Sequence, residues 1–283
     1  MKEKVRIEID GSLYCSINEY CHKYGINKLY FNEPVKIIEG TKNCSKMFLG
    51  CKKFNQPVII PEGVINCEFM FYACEEFNQS LIIPDSVKNC LHMFAECKKL
   101  NQIIKFPKNL ECCDYMFTDC NNFNQSVKLP NNLKSCVGMF QRCYRFNQPI
   151  NIPDTVINCY GMFAICMSFN QFIKLPKNLV NCKYMFYQCY HFNQPITIPN
   201  NTIECDNMID KCHSFHELIT APINKLYAFK YKIKFKYNKN KIEIDSYILK
   251  NCEIDTMVTF ELKKAINVSE EEFAEISLLA LLN

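Results

Sequence analysis

The stretch Phe146-Asn-Gln-Pro-Ile150-Asn-Ile152-Pro153-Asp-Thr-Val156-Ile-Asn-Cys159-Tyr-Gly-Met162-Phe163-Ala-Ile-Cys166-Met-Ser168 decides how this chain folds, because its pattern recurs on both sides without insertion or deletion. Phe31, Phe54, Phe77, Leu100, Phe123, Phe146, Phe169, Phe192 and Phe215 are spaced 23 residues apart. With that residue as position 1, Asn follows at 2, aliphatics at 5 and 7, Pro at 8, Val or Leu at 11, Cys at 14, Met at 17, Phe at 18 and Cys at 21. Eight full units cover 31–214, and a decayed ninth begins at Phe215. A constant period with constant apolar positions means that each unit forms one coil of a solenoid, burying its apolar face only against its neighbours.

Within a coil, aliphatic-x-aliphatic-Pro at positions 5–8 reads as a short strand, two side chains inward and one outward, stopped by proline. Met-Phe-x-x-Cys at 17–21 reads as one helical or 3₁₀ turn, since residues four apart share a helix face. Asn at position 2 of every coil suits a stacked ladder of side chains capping backbone groups at a bend.

Sixteen of the twenty cysteines fall at positions 14 and 21. They read first as buried, reduced side chains used as small hydrophobes, with disulfides between stacked coils the geometrically allowed alternative. Cysteines seven apart are not the C-x-x-C knuckle of structural zinc sites. Cys205, Cys212, His213 and His216 form the one local grouping of plausible ligands, but two of them are ladder residues, and neither metal nor cofactor is expected.

Outward from the repeats, 1–30 reads as an N-terminal hairpin-helix cap: alternation over 4–9, a turn at Asp10-Gly11, and a capping box at Ser16-Ile-Asn-Glu19 opening a helix that stops at Gly25. Residues 215–283 read as the degenerate repeat plus a β-β-β-α module: strands over 229–237, 241–245 and 251–262, then a helix opened by Ser269-Glu-Glu-Glu272. The fold class is thus a repeat solenoid of eight 23-residue units, mixing strands and short helical turns, closed by caps at both ends.

The order aliphatic-x-aliphatic-Pro-x-x-Val followed by Met-Phe-x-x-Cys-x-x-Phe strongly resembles BspA-like leucine-rich repeats. Met-Phe-x-x-Cys-x-x-Phe-Asn-Gln also resembles mycoplasma-type surface repeats, and Phe-Asn-Gln-Pro-Ile with its following Pro resembles FNIP repeats of amoebae and giant viruses. The resemblance implies a leucine-rich-repeat-like solenoid and an adhesion or interaction surface. Cys at position 14 departs from the aliphatic often found there.

Composition excludes several classes. With 48% apolar and 22% charged residues the chain is core-forming rather than disordered, and a net charge of +4 is too small to mark the whole of it as a nucleic-acid binder. The N-terminus lacks the apolar run of a signal peptide and no stretch reaches a membrane span, so a cytoplasmic protein without membrane insertion is expected. Scattered histidines, dispersed carboxylates and seven glycines provide no nucleophile-base pair, acid-base pair or phosphate-cradling loop, so no enzyme is expected.

Function must then lie at variable positions. The outward position-6 stripe reads Ile59, Ile82, Lys105, Lys128, Asn151, Lys174 and Thr197, with Lys108 and Lys177 added at position 9. A second candidate is an exposed aromatic group of Tyr144, Tyr160, Phe172, Tyr184, Tyr187 and Tyr190. A third is the strand carrying Lys230, Lys232, Lys234 and Lys236, which suits nucleic acid or an acidic partner but has Glu243 and Asp245 opposite it across an even-length hairpin loop. The reading is a non-enzymatic scaffold that binds a protein partner through the stripe or the aromatic group, in one form an inhibitor encoded by a virus or mobile element that occludes a host protein. The alternatives are a nucleic-acid binder using the lysine strand and a surface adhesin.

Overall fold

Stacking a repeat requires a backbone that sends hydrogen bonds from each coil to the next. The computed structural model, which describes residues 7–9, 12–221, 233–238 and 241–246, shows where they run. The N–H groups of positions 14, 16, 18 and 20 donate to the carbonyls of positions 13, 15, 17 and 19 of the next coil; Cys44 to Asn66, Lys46 to Glu68, Phe48 to Met70 and Gly50 to Tyr72 do so at 2.8–2.9 Å. Position 13 carries a parallel bridge column, Asn43, Asn66, Asn89, Cys112, Ser135, Asn158, Asn181 and Glu204.

This region corrects the expected helical turn. The intervening N–H groups close overlapping i to i−3 turns, as Met47 to Cys44, Leu49 to Lys46 and Cys51 to Phe48. Positions 16 and 20 lie at positive φ in every coil: Lys46 (59°), Phe69 (52°), Ala73 (57°), Ile165 (65°) and Tyr184 (57°) among others, with glycine there only at Gly50, Gly138 and Gly161. A positive φ at the third residue is the sign of a type II turn. Alternating the sign aims one set of N–H groups along the solenoid axis, where the next coil accepts them. The local cost, of the order of 1 kcal/mol per non-glycine residue, is met by inter-coil bonds worth a similar amount each.

The strand flank is thinner than the expected sheet. Positions 5 and 7 are buried and position 6 exposed, as in Val127-Lys128-Leu129. Strand pairing between coils forms at β4 (Leu81–Ile82) with β5 (Ile104–Lys105), and at β6 (Ile196–Thr197) with β7 (Leu218–Ala221), both parallel. The position-2 ladder is continuous: the Oδ1 of Asn32, Asn55, Asn78, Asn101, Asn124, Asn147 and Asn170 each accepts the backbone N–H of the next Asn at 2.8–2.9 Å.

Two phenylalanine columns fill the core. Position-18 rings stack on those of the next coil, Phe140 to Phe163 at 5.7 Å, and lie 4.2–4.4 Å from the next position-1 ring, as Phe140 to Phe146 and Phe71 to Phe77. All sixteen ladder cysteines are buried, and every cysteine among the described residues is a free thiol. The position-21 thiols do more than fill space. Each from Cys74 to Cys212 donates to the position-18 carbonyl of the preceding coil, Cys143 to Phe117 at 3.0 Å and Cys166 to Phe140 at 2.8 Å. Burial pushes the Cys212 thiol up to about 12, keeping the proton that makes it a donor.

At the N-terminal end, β1 (Ile7–Ile9) pairs antiparallel with β2 (Ser12–Tyr14) and with β3 (Lys36–Ile37) of the first coil. Ser16 caps α1 (Ile17–Lys23), its Oγ accepting the Glu19 N–H at 3.1 Å, while the Glu19 carboxylate turns back to the Cys15 N–H. At the other end β8 (Ile233–Asn238) and β9 (Lys241–Ser246) form a hairpin, and β9 pairs with β7. The hairpin therefore continues the solenoid's own strand flank, in the order β6-β7-β9-β8. The expected strand over 251–262 and the helix from Ser269 lie outside the described residues.

Candidate interaction face

The outward column is built by alternation. Because positions 5 and 7 anchor each segment in the core, positions 4 and 6 emerge side by side on the same face. Lys105, Lys128 and Lys174 are exposed, and none forms an ion pair among the described residues. Upstream, Ile59 is 84% exposed and Ile82 is 66% exposed, and the β4–β5 register sets Ile82 directly beside Lys105. Lys36, which heads the column, is taken by Glu8 at 3.1 Å.

Lys108 and Lys177 do not belong to this free charge. Lys108 Nζ lies 2.9 Å from Asp85 and Lys177 Nζ 3.7 Å from Asp154, each acid one coil earlier at the same position. The same carboxylates accept the Lys108 and Lys177 backbone N–H groups, and these bonds hold both acids below the usual carboxylate range. Both lysines are exposed but serve the stack.

The aromatic group divides. Phe172, 62% exposed at position 4, stands two residues before Lys174 and joins the lysine column. The tyrosines are half-buried on the turn side, correcting their expected exposure. Tyr184 meets Tyr160 and Tyr187 edge-on at 5.7 and 5.5 Å, while Tyr187 accepts from Lys211 at 2.8 Å. Tyr144 and Tyr190 sit apart at position 22, Tyr190 against the His213 ring at 5.1 Å.

For the tail, the β8–β9 register pairs Lys234 with Asp245 and Lys236 with Glu243, while Lys230 and Lys232 lie outside the described residues. Cys205 and Cys212 face the core whereas His213 and His216 are exposed, so the ligand grouping does not converge. Among the described residues no helix is long and apolar enough to cross a membrane.

Sequence reasoning passed over Ile103, 60% exposed at position 4 beside Lys105. Its signal was the same apolar-x-Lys spacing found at Phe172 and Lys174. It also passed over a stacked column at position 16, Phe69 on His92 at 4.8 Å and His92 on Tyr115 at 4.7 Å, with Lys46 Nζ over the Phe69 ring.

Known proteins give the following likenesses. A leucine-rich repeat protein of Bacteroides ovatus is 23% identical over 64% of this chain and 46% of its own, with a TM-score of 0.49. A leucine-rich repeat protein of T. pallidum is 18% identical over 64% of this chain and 75% of its own, with a TM-score of 0.44. This chain thus spans about half the length of the Bacteroides protein. No curated protein matches it. A family model matches residues 35–129, 84–174 and 113–221, overlapping spans that take in most of the repeats, and the chain belongs to that family, described as Mycoplasma protein of unknown function, DUF285.

Proposed function

We propose that this chain is a non-enzymatic protein-binding scaffold whose contact face is the position-6 column with its position-4 neighbours. The observation that carries this reading is that Lys105, Lys128 and Lys174 stand exposed in one outward column with no carboxylate at ion-pair distance among the described residues, whereas Lys108 and Lys177 at position 9 are paired with Asp85 and Asp154. Core anchors on either side of each lysine fix its backbone, so the face has little order left to lose when a partner docks. Such a face acts by occupying a partner's surface. Occlusion of a host protein by a chain from a virus or mobile element is the finer form of this reading.

The test is capture from cells that express the protein, with wild type and the Lys105→Glu, Lys128→Glu, Lys174→Glu triple variant as paired baits. A partner held by wild type and lost by a triple variant of unchanged thermal midpoint is the expected result. Equal capture by both baits overturns the assignment of the face. If Tyr187→Ala or Tyr190→Ala then loses the partner, the site lies on the turn side. Loss of the partner on nuclease treatment would transfer the protein to the nucleic-acid class.

A further inference from the structure

The column has a composition that specifies its occupant. Ile59 and Ile82 in the second and third coils, with Ile103 in the fourth, present highly exposed apolar side chains in three successive coils. Lys105 stands in that same fourth coil, Lys128 in the fifth and Lys174 in the seventh, where Phe172 supplies apolar surface again. The basic segment is thus bracketed at both ends by bulky apolar side chains.

Resting on the scaffold reading above, we propose that this face binds an extended acidic polypeptide segment, with a short run of carboxylates over the lysines and large apolar side chains on Ile59–Ile82–Ile103 and on Phe172. Coils joined by parallel pairing lie about 4.8 Å apart, so the three steps from Lys105 to Lys174 span about 14 Å, which about four residues of extended chain cover. Three lysines over that length match a few carboxylates. A phosphate backbone has a similar charge spacing, about 3.4 Å per strand in duplex form, but its charge continues past the lysines over Ile59, Ile82 and Phe172, where no basic side chain of the column meets it. A single aromatic ring on the column also gives no platform on which successive bases could stack. The isoleucines contribute through area removed from water, at roughly 25 cal/mol per Å². The lysines contribute orientation and association rate.

Fluorescence anisotropy on the full chain at physiological salt tests this. The probe is a labelled synthetic peptide of two leucines, four glutamates and a phenylalanine. Its controls are the glutamine analogue, a glutamate-only peptide of equal length and a short oligothymidylate. We expect the bracketed acidic peptide to bind roughly tenfold or more tightly than each control. The Lys105→Glu, Lys128→Glu, Lys174→Glu variant should lose that binding. Ile103→Ser with Phe172→Ser should lower it toward the glutamate-only level without changing the affinity for the glutamate-only peptide. Equal binding of the glutamate-only peptide or of oligothymidylate overturns the proposal, as does unchanged binding by the triple variant. If the bracketed peptide fails to bind while partner capture still depends on the three lysines, this occupant is wrong and the scaffold reading stands. If capture is also indifferent to the lysines, both fall.

Discussion

The outer flank at positions 22 and 23 is built in two ways in the two halves of the solenoid. In the first three coils it is an ion ladder: Glu75 sits between Lys52 at 2.8 Å and Lys98 at 3.0 Å, and Glu76 between Lys53 and Lys99. From the fifth coil onward the same positions carry Tyr144, Met167, Tyr190 and His213, followed by Arg145, Ser168, His191 and Ser214. The backbone beneath does not notice. Position 23 donates to position 22 of the preceding coil in both halves, Glu76 to Lys52 at 3.0 Å and Ser214 to Tyr190 at 3.1 Å. Backbone ladder and buried columns therefore carry the frame, and the flank is free to take whatever chemistry its surroundings favour.

If that is right, equivalent cuts into the core should cost the same in either half. Phe71→Ala and Phe163→Ala remove fully buried rings, stacked at 5.5 and 5.7 Å on the position-18 ring of the next coil. Each should lower stability in urea unfolding by about 3–5 kcal/mol. A difference as large as the effect itself would show that the flank, not the core, sets local stability, and would break the comparison.

The fourth coil, between the halves, sharpens it. In the second, third, fifth, sixth and seventh coils a position-1 ring lies 6.1–6.3 Å from the position-18 ring of its own coil, as Phe77–Phe94 and Phe54–Phe71 do. Here position 1 is Leu100, and Phe106 at position 7 supplies the ring instead, edge-on to Phe117 at 6.2 Å. Leu100→Phe alone should overpack at about 1–3 kcal/mol, and Phe106→Ile alone should cost about 1–2 kcal/mol through a void. The double variant restores the common pattern and should recover most of both losses in a double-mutant cycle. Strict additivity would show that the two sites do not share volume.

How much of this was legible follows from what a single coil can reveal. The period, the buried positions and the Asn ladder could be read because they repeat residue identity. The nested turns could not, because the left-handed positions carry Lys, Phe, His, Tyr, Glu and even β-branched Ile165, and only Gly50, Gly138, Gly161 and Asn207 hint at them. Inter-coil bonding there overrides local preference. For the candidate face, strand alternation foretold the exposure of Lys105, Lys128 and Lys174. The pairing that removed Lys108 and Lys177 needed a comparison of charges one period apart, Asp85 against Lys108 and Asp154 against Lys177.

On the turn side of the N-terminal half, His92 lies between the rings of Phe69 and Tyr115 with a buried Nδ1 that has no hydrogen-bond partner among the described residues. Burial outweighs the nearby Asp114 and Glu68 carboxylates and holds its pKa below the usual histidine value. Stability tied to the neutral ring is present above the unfolded pKa, about 6.5, and is lost as pH falls toward the folded value. Since Phe69 already adopts the same positive φ, His92→Phe should fit, adding about 1 kcal/mol at neutral pH by removing the orphaned nitrogen. It should also flatten the stability profile between about pH 6.5 and 5. A destabilised variant would mean that Nδ1 is satisfied by water.

The smallest effect tests the comparison most directly. Glu75 and Glu76 are held below the usual carboxylate range by hydrogen bonds from Lys52 and Lys98, and from Lys99, respectively. A depressed carboxylate contributes stability above its unfolded pKa, about 4.3, and that contribution disappears as pH falls through the lower folded value. The side chains of Glu75 and Glu76 are 26% and 31% exposed and their lysine partners about half exposed, so screening limits what the pairs contribute. Glu75→Gln with Glu76→Gln should lower the thermal midpoint by about 1–2 °C at low salt and by less at high salt. Its acid limb should be shallower than that of wild type. The matching change in the other half, Tyr144→Gln with Tyr190→Gln, should give a loss that salt does not diminish, because it comes from aromatic area and from the Tyr190–His213 contact rather than from charge. Equal salt sensitivity in the two pairs would mean that long-range charge, and not the local pairing at positions 22 and 23, distinguishes the two halves.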